Sequence, residues 1–280
     1  MLDARSVIAI PSLPSHLDVL RCSIPRVKRL YGKEPLVVTP DPASLQALED
    51  LGVRIVADQE YAGLGKAGVM AMLPESKRGS AGWYYQQLLK YDIVLKSPAD
   101  QVLVMDADTV LLRAVPASRD DVTVFPRSGE EHVPYFRGFE ALTGLPRGLA
   151  SSAIVNFMWF SRPDLSRLVE RIGERCGGDW RGAILRVASR PECSFSEYET
   201  YGNWCANQGG RVDQVPLRLF RRGDLLLSGT RDVEAIVRSA ERRGFDAVAF
   251  ERGHRTTALR RVLARALLGV GLCTNGRRYV

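Results

Sequence analysis

Histidine and cysteine are scarce: 280 residues hold three and five. The cysteines (Cys22, Cys176, Cys193, Cys205, Cys273) are scattered, with no C-x-x-C and no Cys/His pair at zinc spacing. That excludes a zinc module and leads us to expect free thiols in a reducing compartment. No run reaches the roughly 18 apolar residues that would cross a bilayer. The start, MLDARSVIAIPSLPSHLD, lacks a basic opening and an uninterrupted apolar stretch, so no signal peptide is expected and the expected location is cytoplasmic. There is no internal repeat, and no glycine-rich phosphate loop follows the first apolar segment, which argues against a sugar nucleotidyltransferase. Lysine is missing after Lys96, so every later cation is arginine or histidine.

What is present is an ordinary globular composition, 45% hydrophobic and 25% charged. Its 39 basic and 32 acidic residues give 39 − 32 = +7, a surplus that favours anionic partners or simply solubility. Apolar runs at Ser6–Pro11, Pro35–Thr39, Val53–Ala57 and Gln101–Met105 read as strands. Helical spacing at Ser15–Leu30 (broken near Pro25), Ser44–Leu51 and Ser80–Lys96 lies between them, with Tyr61–Gly79 as a long loop. This alternation predicts a parallel sheet with helices on its faces. Further on, Val122–Pro126, Ala153–Phe160, Arg211–Leu219 and Ala247–Phe250 read as strands, and Asp164–Cys176 and Ser194–Trp204 as helices. Residues Arg127–Ser152 read as a loop-rich insert. The expected class is α/β, with a first half over 1–113, a second over 114–254 and a tail over 255–280.

The most informative segment is QVLVMDADTVLL, where Asp106 and Asp108 follow an apolar strand. Open α/β sheets bind ligands at the carboxyl ends of their strands. In an extended chain residues i and i+2 share a side, so both carboxylates would face one point. Two such groups repel unless a cation lies between them, and Mg²⁺ or Mn²⁺ suits oxygen ligands. The alternative is an Asx-type turn cap. On the preceding helix, Trp83, Gln87 and Lys90 fall on one stripe, able to face a diphosphate or sugar ring, or simply solvent.

The segments GWYYQQLLKYDIVL and QVLVMDADTVLLR, with Ser196-Glu-Tyr-Glu-Thr-Tyr-Gly202 downstream, resemble a family of bacterial glycosyltransferase-like proteins related to the GT-A-fold nucleotide-sugar transferases. The resemblance implies a single GT-A-like, Rossmann-related domain over 1–254, with a mixed, mostly parallel central sheet flanked by helices. It implies a metal-dependent transfer of sugar from a nucleoside-diphosphate donor (a UDP- or GDP-sugar) to a hydroxyl on a glycan or lipid-linked acceptor, as in surface polysaccharide synthesis. By this similarity Asp106 lies near the donor ribose and the metal, Asp108 is the direct Mn²⁺ or Mg²⁺ ligand, and His254 completes the metal shell. Lys90 contacts the diphosphate or sugar, and Pro11 and Ser12 lie at the end of the strand that reaches the nucleotide base.

On the acceptor side an inverting transferase needs a carboxylate to take the hydroxyl proton. Glu197 and Glu199 are the candidates, on opposite faces of a helix, and Glu197 is expected to be the base, with an N-capped, solvated helix start as its alternative. The insert at 129–137 is expected to border the acceptor pocket. Residues 255–268 form an amphipathic basic helix that packs on the core or lies on an anionic membrane, which leaves open a peripheral position at the inner membrane face. Two rivals remain: a haloacid-dehalogenase-type phosphatase with Asp106 as nucleophile and Asp108 as acid/base, and a non-catalytic basic module docking on a membrane. Nucleic acid is not an expected partner, since no recognition motif is present.

Overall fold

The computed structural model describes residues 6–221, 223–226 and 232–251. His254 and the basic segment 255–268 lie outside the described residues.

The central sheet has five strands: β1 (Ser6–Pro11), β2 (Leu36–Thr39), β3 (Arg54–Ala57), β4 (Gln101–Met105) and β8 (Phe157–Ser161), in the order β3-β2-β1-β4-β8. All pairs are parallel except β4 with β8. The expected class, mixed α/β with a mostly parallel sheet between helices, is what the chain forms. Leu103, Met105, Phe157 and Trp159 face one side with α1 (Leu17–Tyr31), while Val102, Val104, Met158 and Phe160 face the other. That second side is covered by α3 (Ala81–Lys96), α4 (Val133–Thr143), α5 (Arg162–Cys176), α6 (Trp180–Ala188) and α7 (Glu197–Asn207). Alternation along β4 therefore decides which residues meet which helices.

Two small sheets complete the fold. β5 (Thr109–Leu111) pairs antiparallel with β11 (Ala247–Ala249), which pairs with β10 (Leu219–Phe220). β7 (Val122–Arg127) lies between β6 (Ser118–Arg119) and β9 (Val212–Pro216). Among the described residues the remaining α-helices are α2 (Lys66–Met72) and α8 (Val233–Arg242), and the helix expected at Ser44–Leu51 is a 3₁₀ helix over Ala43–Leu51.

Several expectations need correction. Pro25 does not break α1, which runs through it to a left-handed Gly32. Tyr61–Gly79 is not all loop, because it contains α2. The insert 127–152 contains α4, opened by Pro134 in its first turn. Gly138 lets α4 approach the chain closely, since a Cβ there would collide with the backbone carbonyl of Ser194. The strand expected from Ala153 starts only at Phe157, and residues 153–156 form an irregular approach to it. Helices α6 and α8 were not foreseen. The described cysteines, Cys22, Cys176, Cys193 and Cys205, are free thiols, as expected. Among the described residues, no helix is long and apolar enough to cross a membrane.

Candidate functional site

β4 delivers Asp106 to the carboxyl edge of the sheet, between β1 and β8. Counting on from Ala9 opposite Val104 sets Pro11 level with Asp106, so Pro11 and Ser12 do lie at this edge. Both are buried; Ser12 N–H donates to Val38 O at 2.8 Å and its hydroxyl to Leu13 O at 3.0 Å.

The chain is not extended from Asp106 to Asp108. Thr109 N–H donates to Asp106 O at 3.1 Å, so residues 106–109 form a tight turn leading into β5. The proximity of the two carboxylates therefore comes from a turn rather than from the pleat of a strand. Phe250 N–H fixes the turn by donating to Asp108 O at 2.7 Å. The Asp108 carboxyl accepts from Thr109 Oγ1 at 3.2 Å. Burial and the neighbouring Asp106 raise it from 3.8 to about 6.

The stripe on α3 is not an open face. Gln87 and Lys90 are 2% and 3% exposed because α7 lies across them, whereas Trp83 is 42% exposed. Lys90 Nζ sits 2.5 Å from Asp106 Oδ1 and 2.5 Å from Glu197 Oε1. It also lies 4.4 Å from the centre of the Tyr198 ring. Burial alone would pull the lysine down, but Asp106 and Glu197 override it and hold the ammonium well above its ordinary value. Glu197 shifts up through burial, opposed by Lys90 and reinforced by Asp106. Gln87 Oε1 accepts from Glu197 N–H at 3.1 Å, and Tyr91 O–H donates to Glu197 O at 2.8 Å. Glu197, expected to be a base facing an acceptor, is thus a buried partner of Lys90, and Lys90 and Gln87 serve Asp106 and Glu197 rather than an open groove.

Ser196 caps α7, accepting from Glu199 N–H at 3.3 Å. Glu199 points elsewhere, as its helical spacing required. Its carboxylate accepts from Ser152 Oγ and Ala153 N–H, both at 2.7 Å, and from Asn203 Nδ2 at 3.0 Å. It holds the approach to β8, where Asn156, absent from the residues singled out in the sequence, lies beside Asp106. Asp106 N–H donates to Asn156 O at 2.8 Å. The insert at 129–137 places Tyr135 on Trp83, ring centres 6.4 Å apart and stacked, with His132 edge-on to Tyr135 at 4.4 Å. Burial, then the Glu197 carboxylate, raises the Tyr135 phenol, so this aromatic group lies in the field of the acidic site.

Asp106 and Glu197 thus share one ammonium, and Asp108 adds a third carboxylate beside Asp106. Asp106 uses Oδ1 for both Lys90 and Tyr198, whose hydroxyl is 3.4 Å away. Among the described residues no hydrogen bond reaches Oδ2. The residues fit Mg²⁺ or Mn²⁺, which is commonly held by one or two carboxylates and completed by water and substrate phosphate. No cluster of three or more His, Cys, Asp or Glu at metal-binding spacing occurs among the described residues, so the protein's share would be small.

The chain matches no family model, and no curated protein matches it. Among solved structures it matches an active-site mutant of LgtC over 96% of each chain, at 13% identity and a TM-score of 0.46. That is a likeness in the course of the chain; the chemistry of the site rests on this chain's own residues.

Proposed function

We propose that the chain is a GT-A-type glycosyltransferase that moves a sugar from a nucleoside-diphosphate donor to a hydroxyl acceptor with the aid of Mn²⁺ or Mg²⁺. The observation that carries this is the charge imbalance at the sheet edge: three carboxylates, one ammonium, and an Asp108 raised to about 6. A buried surplus of negative charge is costly unless a cation joins it. An acidic pair is a poor site for a diphosphate by itself, and becomes a good one when a divalent ion links the two.

A metal bound there would act as a Lewis acid on the departing diphosphate. Asp108 and Asp106 Oδ2 would hold it. Lys90 fixes the other oxygen of Asp106, and Glu197 fixes Lys90, so neither side chain must reorganise when the donor binds. Pro11 and Ser12 border the same edge on the donor side. The exposed Trp83, stacked on Tyr135, offers a ring face to an acceptor sugar.

Thermal melting with UDP, GDP and CDP, each with and without Mn²⁺, tests the reading. Stabilisation by one nucleoside diphosphate only when Mn²⁺ is present is the expected result. Transfer from the matching sugar nucleotide would then identify the donor. Indifference to all three, together with hydrolysis of phosphate monoesters, would assign Asp106 to a phosphatase instead.

A further inference from the structure

We propose that Asn156 supplies a third protein oxygen, its side-chain Oδ1, to the divalent ion held by Asp106 and Asp108; this rests on the metal reading above. β8 runs antiparallel to β4 with Phe157 opposite Met105. The hydrogen bond from Asp106 N–H to Asn156 O, 2.8 Å, carries that register one residue further. Asp106 and Asn156 therefore lie across from one another one step beyond the last ladder pair, and a side chain that kept the ladder's alternation would project on the same face as that of Asp106. That alternation leads to the face of Val104 and Met158, the side from which Lys90 reaches Asp106 and Glu197.

Asn156 is only 8% exposed, and among the described residues its Oδ1 has no hydrogen-bond partner. A buried carbonyl oxygen without a donor is unfavourable, and the adjacent Asp106 carboxylate can only accept. A hard cation between the two satisfies both, since amide carbonyls are ordinary ligands of such ions. The amide adds a ligand without adding to the surplus negative charge. Its approach is held in advance: Glu199 takes Ser152 Oγ and Ala153 N–H, and Ser152 Oγ in turn accepts from Ile154 N–H at 3.1 Å. Glu199 is on this account a positioning residue for the ion.

Mn²⁺ alone, titrated into the full chain and followed by electron paramagnetic resonance, tests the assignment. Asn156→Ala should weaken Mn²⁺ binding at least about 10-fold. Counted by ¹⁷O-water broadening, the ion should gain one water. Asn156→Asp should retain tight binding. Unchanged affinity and water count in Asn156→Ala would overturn the proposal while leaving the aspartates as ligands. Absence of Mn²⁺ binding by the wild-type chain, with UDP present or not, would overturn the metal reading itself. Should Asn156→Ala fail to fold, wild-type protein carrying ¹³C at the asparagine side-chain carbonyls decides. A ¹³C coupling to Mn²⁺ that disappears in Asn156→Asp supports the assignment, and no coupling overturns it.

Discussion

Two charge clusters in this chain invite comparison. Between α1 and α8, Arg26 makes a bidentate pair with Glu234, at 2.9 and 2.7 Å, and Cys22 Sγ donates to the same carboxylate at 3.0 Å. Arg238 adds a second, more exposed contact to Glu234 at 3.3 Å, so the carboxylate is fully matched by guanidinium and the result is a closed link between two helices. At the end of β4, one ammonium meets Asp106 and Glu197, with Asp108 beside them. Both clusters are partly or wholly buried and both are well bonded. They differ in stoichiometry. A carboxylate already matched by guanidinium completes itself, while a surplus of carboxylates is complete only with something the chain does not supply.

The sharpest way to break that contrast is to remove the ammonium from the cluster at β4. Lys90→Met leaves Asp106 and Glu197 facing one another with no counter-charge at Glu197, which is about 4% exposed. Stranding a buried charge in this way costs about 3–5 kcal/mol, and urea denaturation should show a loss of that size. Lys90→Met combined with Glu197→Gln should recover part of it. If Lys90→Met melted like the wild type, the buried cluster would not be organised by the lysine, and the contrast would collapse.

The sequence exposes the parts of this site that depend on neighbours in the chain. Ser6–Pro11 and Gln101–Met105 form strands with the expected bounds, because each is a short apolar run. Asp106 and Asp108 stand out since they follow one of those runs. Lys90 and Glu197 were both singled out, but with the wrong surroundings. Spacing tells which residues share a face of α3, while only the packing of α7 tells that this face is covered. Asn156 gave no signal, because what matters is its register against a strand fifty residues earlier. Helix α4 did carry a signal, Pro134 in its first turn, but Gly138 and the flanking acids and glycines made the segment read as loop. The Arg26–Glu234 pair joins residues 208 apart and was invisible for the same reason as Asn156.

The imbalance also predicts a stabilising substitution. Asp108 is raised from 3.8 to about 6, so the folded state binds this proton more tightly than the unfolded one does. Its contribution to stability is therefore greatest below 3.8 and declines as pH rises towards about 6. Asp108→Asn removes that decline. Without metal at pH 7.5 the variant should be more stable than the wild type by on the order of 1 kcal/mol, with the gap closing by about pH 4. In the same experiment Mn²⁺ should stabilise the wild type and leave Asp108→Asn almost unmoved. An Asp108→Asn chain less stable than the wild type at pH 7.5 would show that the carboxylate is already satisfied, and the case for a missing cation would fall with it.

The Arg26–Glu234 cluster should behave oppositely, and by no more than that. The Arg26 guanidinium holds Glu234 down from 4.5 to about 2. The folded state then releases this proton more readily, so the pair contributes fully above 4.5 and loses its contribution as pH falls towards about 2. Because the Glu234 side chain is 39% exposed, solvent screens the pair and the contribution is on the order of 1 kcal/mol. Glu234→Gln should flatten the acid limb of the stability curve between those values and leave the curve between pH 5 and 8 parallel to the wild type. Mn²⁺ should stabilise Glu234→Gln as it does the wild type, since this cluster has no charge deficit to fill. A metal response that vanished in Glu234→Gln would mean that the two clusters are coupled through α1 and β5, and that charge balance alone does not separate a structural link from a binding site.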